Sequence, residues 1–138
     1  SGGDTEPTEQ LGDIVHAFGL VSVQIDVEGE LPEDARVAAA FLQIIREAST
    51  NATKHAQAHR VHVRLWRETS EGSAVARMTV SNDGAPAPVS YREGTGIPGM
   101  RHVAQDLGGC LEIHAAPSFT LAVSIPLNAS ATAQRRNS

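Results

Sequence analysis

The sequence predicts an α/β fold, specifically a two-layer α/β sandwich with a mixed, mostly antiparallel sheet and its helices packed on one face. Three observations point there. Short runs of alternating apolar and polar residues recur at 20–27, 60–68, 75–80, 110–115 and 119–127, which is the period of half-buried strands. Two longer stretches, 31–58 and 97–109, carry helical composition and spacing instead. Their order, β-α-β-β-loop-α-β-β, separates the strands unevenly, as a sandwich with all helices on one side requires.

In "LVSVQIDV" (20–27), Val21, Val23 and Ile25 fall on one face of a strand, and a turn at Gly29 follows. "LPEDARVAAAFLQIIREASTNATKHAQA" (31–58) reads as one long helix, with Pro32, Glu33 and Asp34 in its first turn and abundant Ala, Leu and Ile behind them. "RVHVRLWRE" sets Val61, Val63 and Leu65 against His62, Arg64 and Trp66, and "VARMTV" repeats the pattern across a turn at Gly72. The pair predicts a hairpin. "IPGMRHVAQDLGG" (97–109) is a helix stopped by Gly108 and Gly109. "CLEIHA" and "FTLAVSIPL" are the last two strands.

At 138 residues the chain suits one domain, with the folded body at 11–127. Residues 1–10 read as a flexible N-terminal segment whose opening Ser-Gly-Gly resembles a non-native remnant, and 128–138 as a flexible tail. A net charge of −5 argues against nucleic acid as the main partner. No apolar run approaches the roughly 20 residues that span a bilayer, so no direct membrane contact is expected of this segment. Cys110 is the single cysteine, which rules out a disulfide within the chain and makes a reducing, cytoplasmic setting the expectation.

Three stretches carry candidate chemistry. On the long helix, Phe41, Ile45, Ala48 and Ala52 share the core stripe, while Glu47, Asn51, Lys54 and His55 form a second stripe about 100° away. Such a row is ordinarily solvated helix surface. One carboxylate, one amide and one cation at successive turns also offer hard oxygen ligands to Mg²⁺ and a positive charge to phosphate. "GTGIPGM" (94–100) has a G-x-G-x-x-G spacing but follows a loop rather than a strand, so a dinucleotide-binding context is missing. What remains is a Gly-rich start to a helix, able to hold phosphate oxygens on backbone N–H groups. "SNDGAP" (81–86) ends a strand on an Asn-Asp-Gly turn. His55 and His59 have the spacing of helix metal ligands, but no third ligand completes a zinc set on that element.

Taken in order, "REASTNATKHAQA", "SNDGAP" and "GTGIPGMRHVAQDLGG" resemble the N, G1 and G2 boxes of the ATPase superfamily shared by gyrase, the heat-shock chaperone, histidine kinases and mismatch-repair proteins. The forms are most similar to the catalytic ATP-binding domain of sensor histidine kinases of the nitrate-sensor-like class, and the resemblance covers nearly the whole folded body. It implies the Bergerat ATP-binding fold, with ATP and Mg²⁺ as ligands. Carried over, it implies that Asn51 coordinates Mg²⁺, that Glu47 orients a metal-bound water or assists proton transfer, and that Lys54 and His55 face the phosphates. Asn82, Asp83 and Gly84 would stand at the base, and Gly94, Thr95, Gly96, Ile97, Gly99 and Met100 along the second Gly box, with 85–95 as the ATP lid. Arg101 matches a basic position without an assigned contact.

The implied activity is transfer of the γ-phosphoryl group to a histidine on a separate dimerisation domain of the parent kinase, with a response regulator downstream. The parent could be membrane-anchored. His16 lacks the two-helix pattern that surrounds such an acceptor. Two other readings stand beside this one: an anti-sigma-factor-like serine kinase, and a nucleotide-insensitive interaction domain with a decayed site. One departure bears on the choice. The family's first Gly box is Asp-x-Gly-x-Gly, whose Asp accepts from the adenine 6-amino group, whereas Asn82, Gly84 and Pro86 align here. An amide forfeits charge assistance, about 1 kcal/mol, which Asp83 could offset directly or through a water when it is not simply bracing the turn. An amide that flipped would also meet the 6-oxo group of guanine, so weakened discrimination between ATP and GTP is expected.

Overall fold

The computed structural model describes residues 6–84, 96–115 and 117–127. The expected lid, with Gly94 and Thr95, lies outside them. The elements run α1 (Pro7–Gly19), β1 (Gln24–Glu28), α2 (Ala35–His55), β2 (Arg60–Ser70), β3 (Ser73–Asn82), α3 (Ile97–Asp106), β4 (Cys110–His114) and β5 (Phe119–Pro126). The five strands form one sheet in the order β1-β2-β3-β5-β4. β1 pairs parallel with β2, and every other pairing is antiparallel, so the expected mixed, mostly antiparallel sandwich is the fold.

The layers follow from alternation. Val61, Val63 and Leu65 of β2, Ala76, Met78 and Val80 of β3, and Leu121, Val123 and Ile125 of β5 turn to the helix side and are buried. Phe41, Ile44 and Ile45 of α2 meet them with no exposed surface. Among the described residues the opposite face carries no helix, and it is polar. There Arg64 lies 4.8 Å from the Trp66 ring centroid, the Trp66 indole donates to Glu68 at 3.3 Å, and Glu68 pairs with Arg77, whose guanidinium also reaches the Ser124 hydroxyl at 2.7 Å. The Trp66 and Arg77 donors hold the Glu68 carboxyl below its ordinary range.

Three expectations are corrected. A helix precedes the first strand, and it starts at Pro7, inside the segment expected to be flexible. Leu11, Ile14, Val15 and Phe18 recur at helical spacing and pack on the core; the polar residues around Pro7 mask a pattern that begins four positions later. Helix α1 then leaves through a turn in which the Val21 and Val23 amides both reach back to the Phe18 carbonyl. That turn puts Val21 outside, 61% exposed, and shortens the expected strand to Gln24–Glu28. At α2, Pro32, Glu33 and Asp34 precede the helix instead of forming its first turn. Asp34 caps it, its carboxylate accepting from the Arg36 and Val37 amides at 2.9 and 3.1 Å.

Candidate functional site

The last turns of α2 are where the three singled-out stretches meet. Glu47, Asn51, Lys54 and His55 do not share one environment. Asn51 is 2% exposed, Glu47 is half-buried, and Lys54 and His55 are exposed. A helix that turns its core stripe toward the sheet holds a residue 100° away at the rim, and Asn51 sits on the inner side of that rim.

Gly96 closes on this row from α3. It is the N-cap of that helix at φ +77°, its carbonyl accepting the Met100 amide at 2.9 Å. A β-carbon at Gly96 would stand 2.5 Å from Glu47 Oε2 and 2.8 Å from Asn51 Nδ2. A side chain there would have to displace the ends of both side chains at a φ that favours glycine, so the backbone at the start of α3 lies close against the carboxylate and the amide. Ile97 and Met100 are buried, at 0% and 2%, and anchor this first turn in the core. Beside Gly99 the space is open, so packing among the described residues does not demand a glycine there. Arg101 donates to the Leu111 carbonyl at 3.4 Å, tying α3 to β4.

The end of β3 closes on the same part of α2 from the other side. Asn82 follows buried Val80 on the helix-facing side of the sheet, opposite Val61 on β2 and Phe119 on β5. Its amide nitrogen donates to the Asp83 carbonyl at 2.6 Å. The Asp83 carboxylate accepts from the His59 and Arg60 amides, each at 2.9 Å. Those donors, Arg60 first, hold the Asp83 carboxyl below its ordinary range. Gly84 adopts φ +96°, and a β-carbon on it would collide with the Ala56 carbonyl just past α2. Of the two roles considered for Asp83, the turn-bracing one is what its contacts perform, and its span exceeds a local turn because it reaches the α2–β2 connection. No local sequence signal reports that reach, since Asp83 and Arg60 are 23 positions apart.

A family described as histidine kinase-, DNA gyrase B-, and HSP90-like ATPases matches residues 36–129. The chain belongs to that family. Among curated proteins, this ATPase domain is 30% identical over 100 residues to the signal transduction histidine-protein kinase/phosphatase UhpB of Salmonella typhimurium, a match covering 72% of the domain and 19% of that relative. It thus spans about a fifth of the relative's length. The blue-light activated histidine kinase EL346 of Erythrobacter litoralis superposes with a TM-score of 0.64 at 26% identity, over 88% of the domain and 42% of that chain. The ATP-binding domain of PrrB from Mycobacterium tuberculosis shares the fold, with a TM-score of 0.63 at 18% identity over 88% of the domain and 94% of that chain. Among the described residues no helix is long and apolar enough to cross a membrane.

The family's match runs through all three stretches, and the fold brings described members of each together around one end of α2. A separate cavity of about 600 Å³, lined by residues such as Leu31, Phe41, Leu65, Trp66 and Leu127, lies at the other end of the sandwich. It shares no residue with the site. Chemical content favours the α2 C-terminal end: a buried amide and a carboxylate packed against glycine backbone at a helix start are groups that recognise polar ligands.

Proposed function

We propose that the chain binds Mg-ATP across the C-terminal half of α2 and donates the γ-phosphoryl group to a histidine on a separate dimerisation domain, which passes it to a response regulator. The observation that carries this reading is Gly96 seated against Glu47 and Asn51, a cradle that an added methyl would fill. The residues fit the ligand. The Asn51 amide oxygen and a Glu47 carboxylate oxygen are hard donors suited to Mg²⁺, and Lys54 and His55 are exposed on the following turn, where triphosphate charge needs a counterpart. The metal, when bound, neutralises charge developing on the phosphates.

The chain's own tasks are then positional. The start of α3 presents backbone N–H groups toward phosphate oxygens, Asn82 accepts from the base, and Glu47 orients the acceptor side, taking a proton as the phosphorus–nitrogen bond forms and ADP leaves. Likeness to two histidine kinases at 30% and 26% identity supports a histidine acceptor over a serine hydroxyl.

Thermal melts with Mg-ATP, with ATP plus chelator and with Mg²⁺ alone test the binding. At one hundred times Kd, Mg-ATP should add about 2.7 kcal/mol, and Asn51→Ala should remove the metal-dependent part. No shift at millimolar nucleotide would leave the interaction-domain reading in its place. For transfer, radiolabel from γ-labelled ATP should reach a dimerisation domain supplied in trans as acid-labile phosphohistidine, and Glu47→Gln should slow transfer while retaining the melt shift. Acid-stable label on serine would replace this reading with the serine-kinase one.

A further inference from the structure

Asn82 stands where the family's motif carries a carboxylate, and an amide has two faces. Its oxygen accepts, which suits a purine 6-amino group, and its nitrogen donates, which suits a 6-oxo group. Which face meets the ligand depends on what holds the other. Here the nitrogen is engaged, donating at 2.6 Å to the Asp83 carbonyl. Turning the amide over would set two carbonyl oxygens against each other at that separation and forfeit the bond, so the oxygen is the face left to a ligand.

The Asp83 carbonyl can perform this only if its peptide keeps its orientation, and three contacts hold it there. The Asp83 carboxylate takes both the His59 and the Arg60 amide at 2.9 Å. Its own amide donates to the Arg60 carbonyl at 3.2 Å. Next along the chain, Gly84 is pressed on the Ala56 carbonyl in a conformation that side chains rarely adopt. The turn is therefore fastened to the α2–β2 connection at two adjacent residues, and the carboxylate is the one fastening that a side-chain substitution can remove without altering the backbone that bonds Asn82.

We propose that Asp83 is a positioning residue for purine selectivity: by clamping the β3 turn to the His59–Arg60 backbone, it holds the Asn82 amide with its oxygen outward, so the pocket accepts 6-amino purines and rejects 6-oxo purines. This reverses the expectation that an asparagine here relaxes selectivity, and it rests on the nucleotide reading of the preceding subsection. Loss of the carboxylate removes the two bonds to His59 and Arg60 and loosens the peptide, so the amide can flip and the distinction fades.

Titration calorimetry of the whole chain with Mg-ATP and Mg-GTP tests it, alongside Asp83→Ala and Asp83→Asn. The unsubstituted chain should bind ATP at least about tenfold tighter than GTP. Asp83→Ala should cut that ratio about fivefold or more, whereas Asp83→Asn, whose amide oxygen still accepts from the two backbone N–H groups, should keep most of it. A brace with no role in selectivity would lower the melting temperature and weaken both nucleotides alike; an unchanged ratio in Asp83→Ala therefore overturns the proposal. Equal affinity of the unsubstituted chain for both nucleotides overturns it without any variant, which covers the case of an Asp83→Ala protein that does not fold. Binding of neither nucleotide would instead remove the nucleotide reading itself, and the selectivity role with it.

Discussion

The two ends of the sandwich are held together by different means. At the end where α2 begins, three of the fastenings are local, although Gly29 also abuts the Leu65 carbonyl and the Leu127 amide bonds to the Ala74 carbonyl: Asp34 caps its own helix, the β2–β3 hairpin turns within Glu71 and Gly72, and α3 stops at a Gly108 amide bonded to the Gln105 carbonyl at 2.9 Å. At the end where α2 finishes, the fastenings join elements far apart in sequence. Asp83 reaches His59 and Arg60, Gly84 abuts Ala56, and Gly96 abuts Glu47 and Asn51. That end also buries the Ser49 hydroxyl with no hydrogen-bond partner among the described residues. The end where α2 finishes thus carries the cost of a buried, unpaired hydroxyl beside the groups it holds in place.

Substitutions can separate the two. The largest effect is expected of Gly96→Ala, whose methyl would enter the Glu47–Asn51 contact at a positive φ. Chemical denaturation should show a loss of about 2 kcal/mol, and the Mg-ATP melt shift should vanish. A variant that lost the stability while keeping the shift would break the link between this packing and ligand binding. Next, Ser49→Ala should raise stability by about 1 kcal/mol, because an unpaired hydroxyl leaves the core; a fall would mean that the site end stores no such cost.

Asp34→Ala, at the opposite end, should cost about 1 kcal/mol as its cap is lost, with nucleotide affinity unchanged by calorimetry. An altered affinity would show that the ends are coupled through α2, across roughly 25 Å at 1.5 Å per residue. The smallest effect concerns pH. The folded-state pKa of Asp83 is depressed, so its contribution is fully present above the unfolded-chain value and is lost as pH falls through the folded one, below about pH 4. Urea melts between pH 5 and 2.5 should show slightly less acid destabilisation in Asp83→Asn than in the unsubstituted chain. Asp83 is exposed, so solvent screening keeps this below the Asp34 effect.

Legibility in the sequence followed the same division. The hairpin register, the α2 core stripe and the Gly108 stop depend on residues within a few positions of one another, and alternation or 3.6-residue spacing reveals them. Helix α1 was legible too, through Leu11, Ile14, Val15 and Phe18, but its polar start obscured it. Val21 misled because alternation alone does not report a turn that bonds back to Phe18. The stretch order pointed to the site, yet not to how it is held. That Gly96 touches Asn51, or that Asp83 spends its carboxylate on the Arg60 backbone, depends on three-dimensional closure of the chain, and neither residue has a local pattern that encodes it.

The outer margins of the sheet have a consequence for how this domain behaves in crowded surroundings. β2 and β3 span 11 and 10 residues, whereas the flanking β1 and β4 are only 5 each. Both short strands carry charge outward. Asp26 and Glu28 on β1 pair with Arg60, His62 and Arg64 at 3.4–3.8 Å, and on β4 Glu112 lies 3.6 Å from His114. A second copy approaching either margin would find few main-chain groups to bond and would have to strip water from fixed charges to reach them. Among the described residues both margins of the sheet are therefore short and charged, which disfavours strand addition by a second copy.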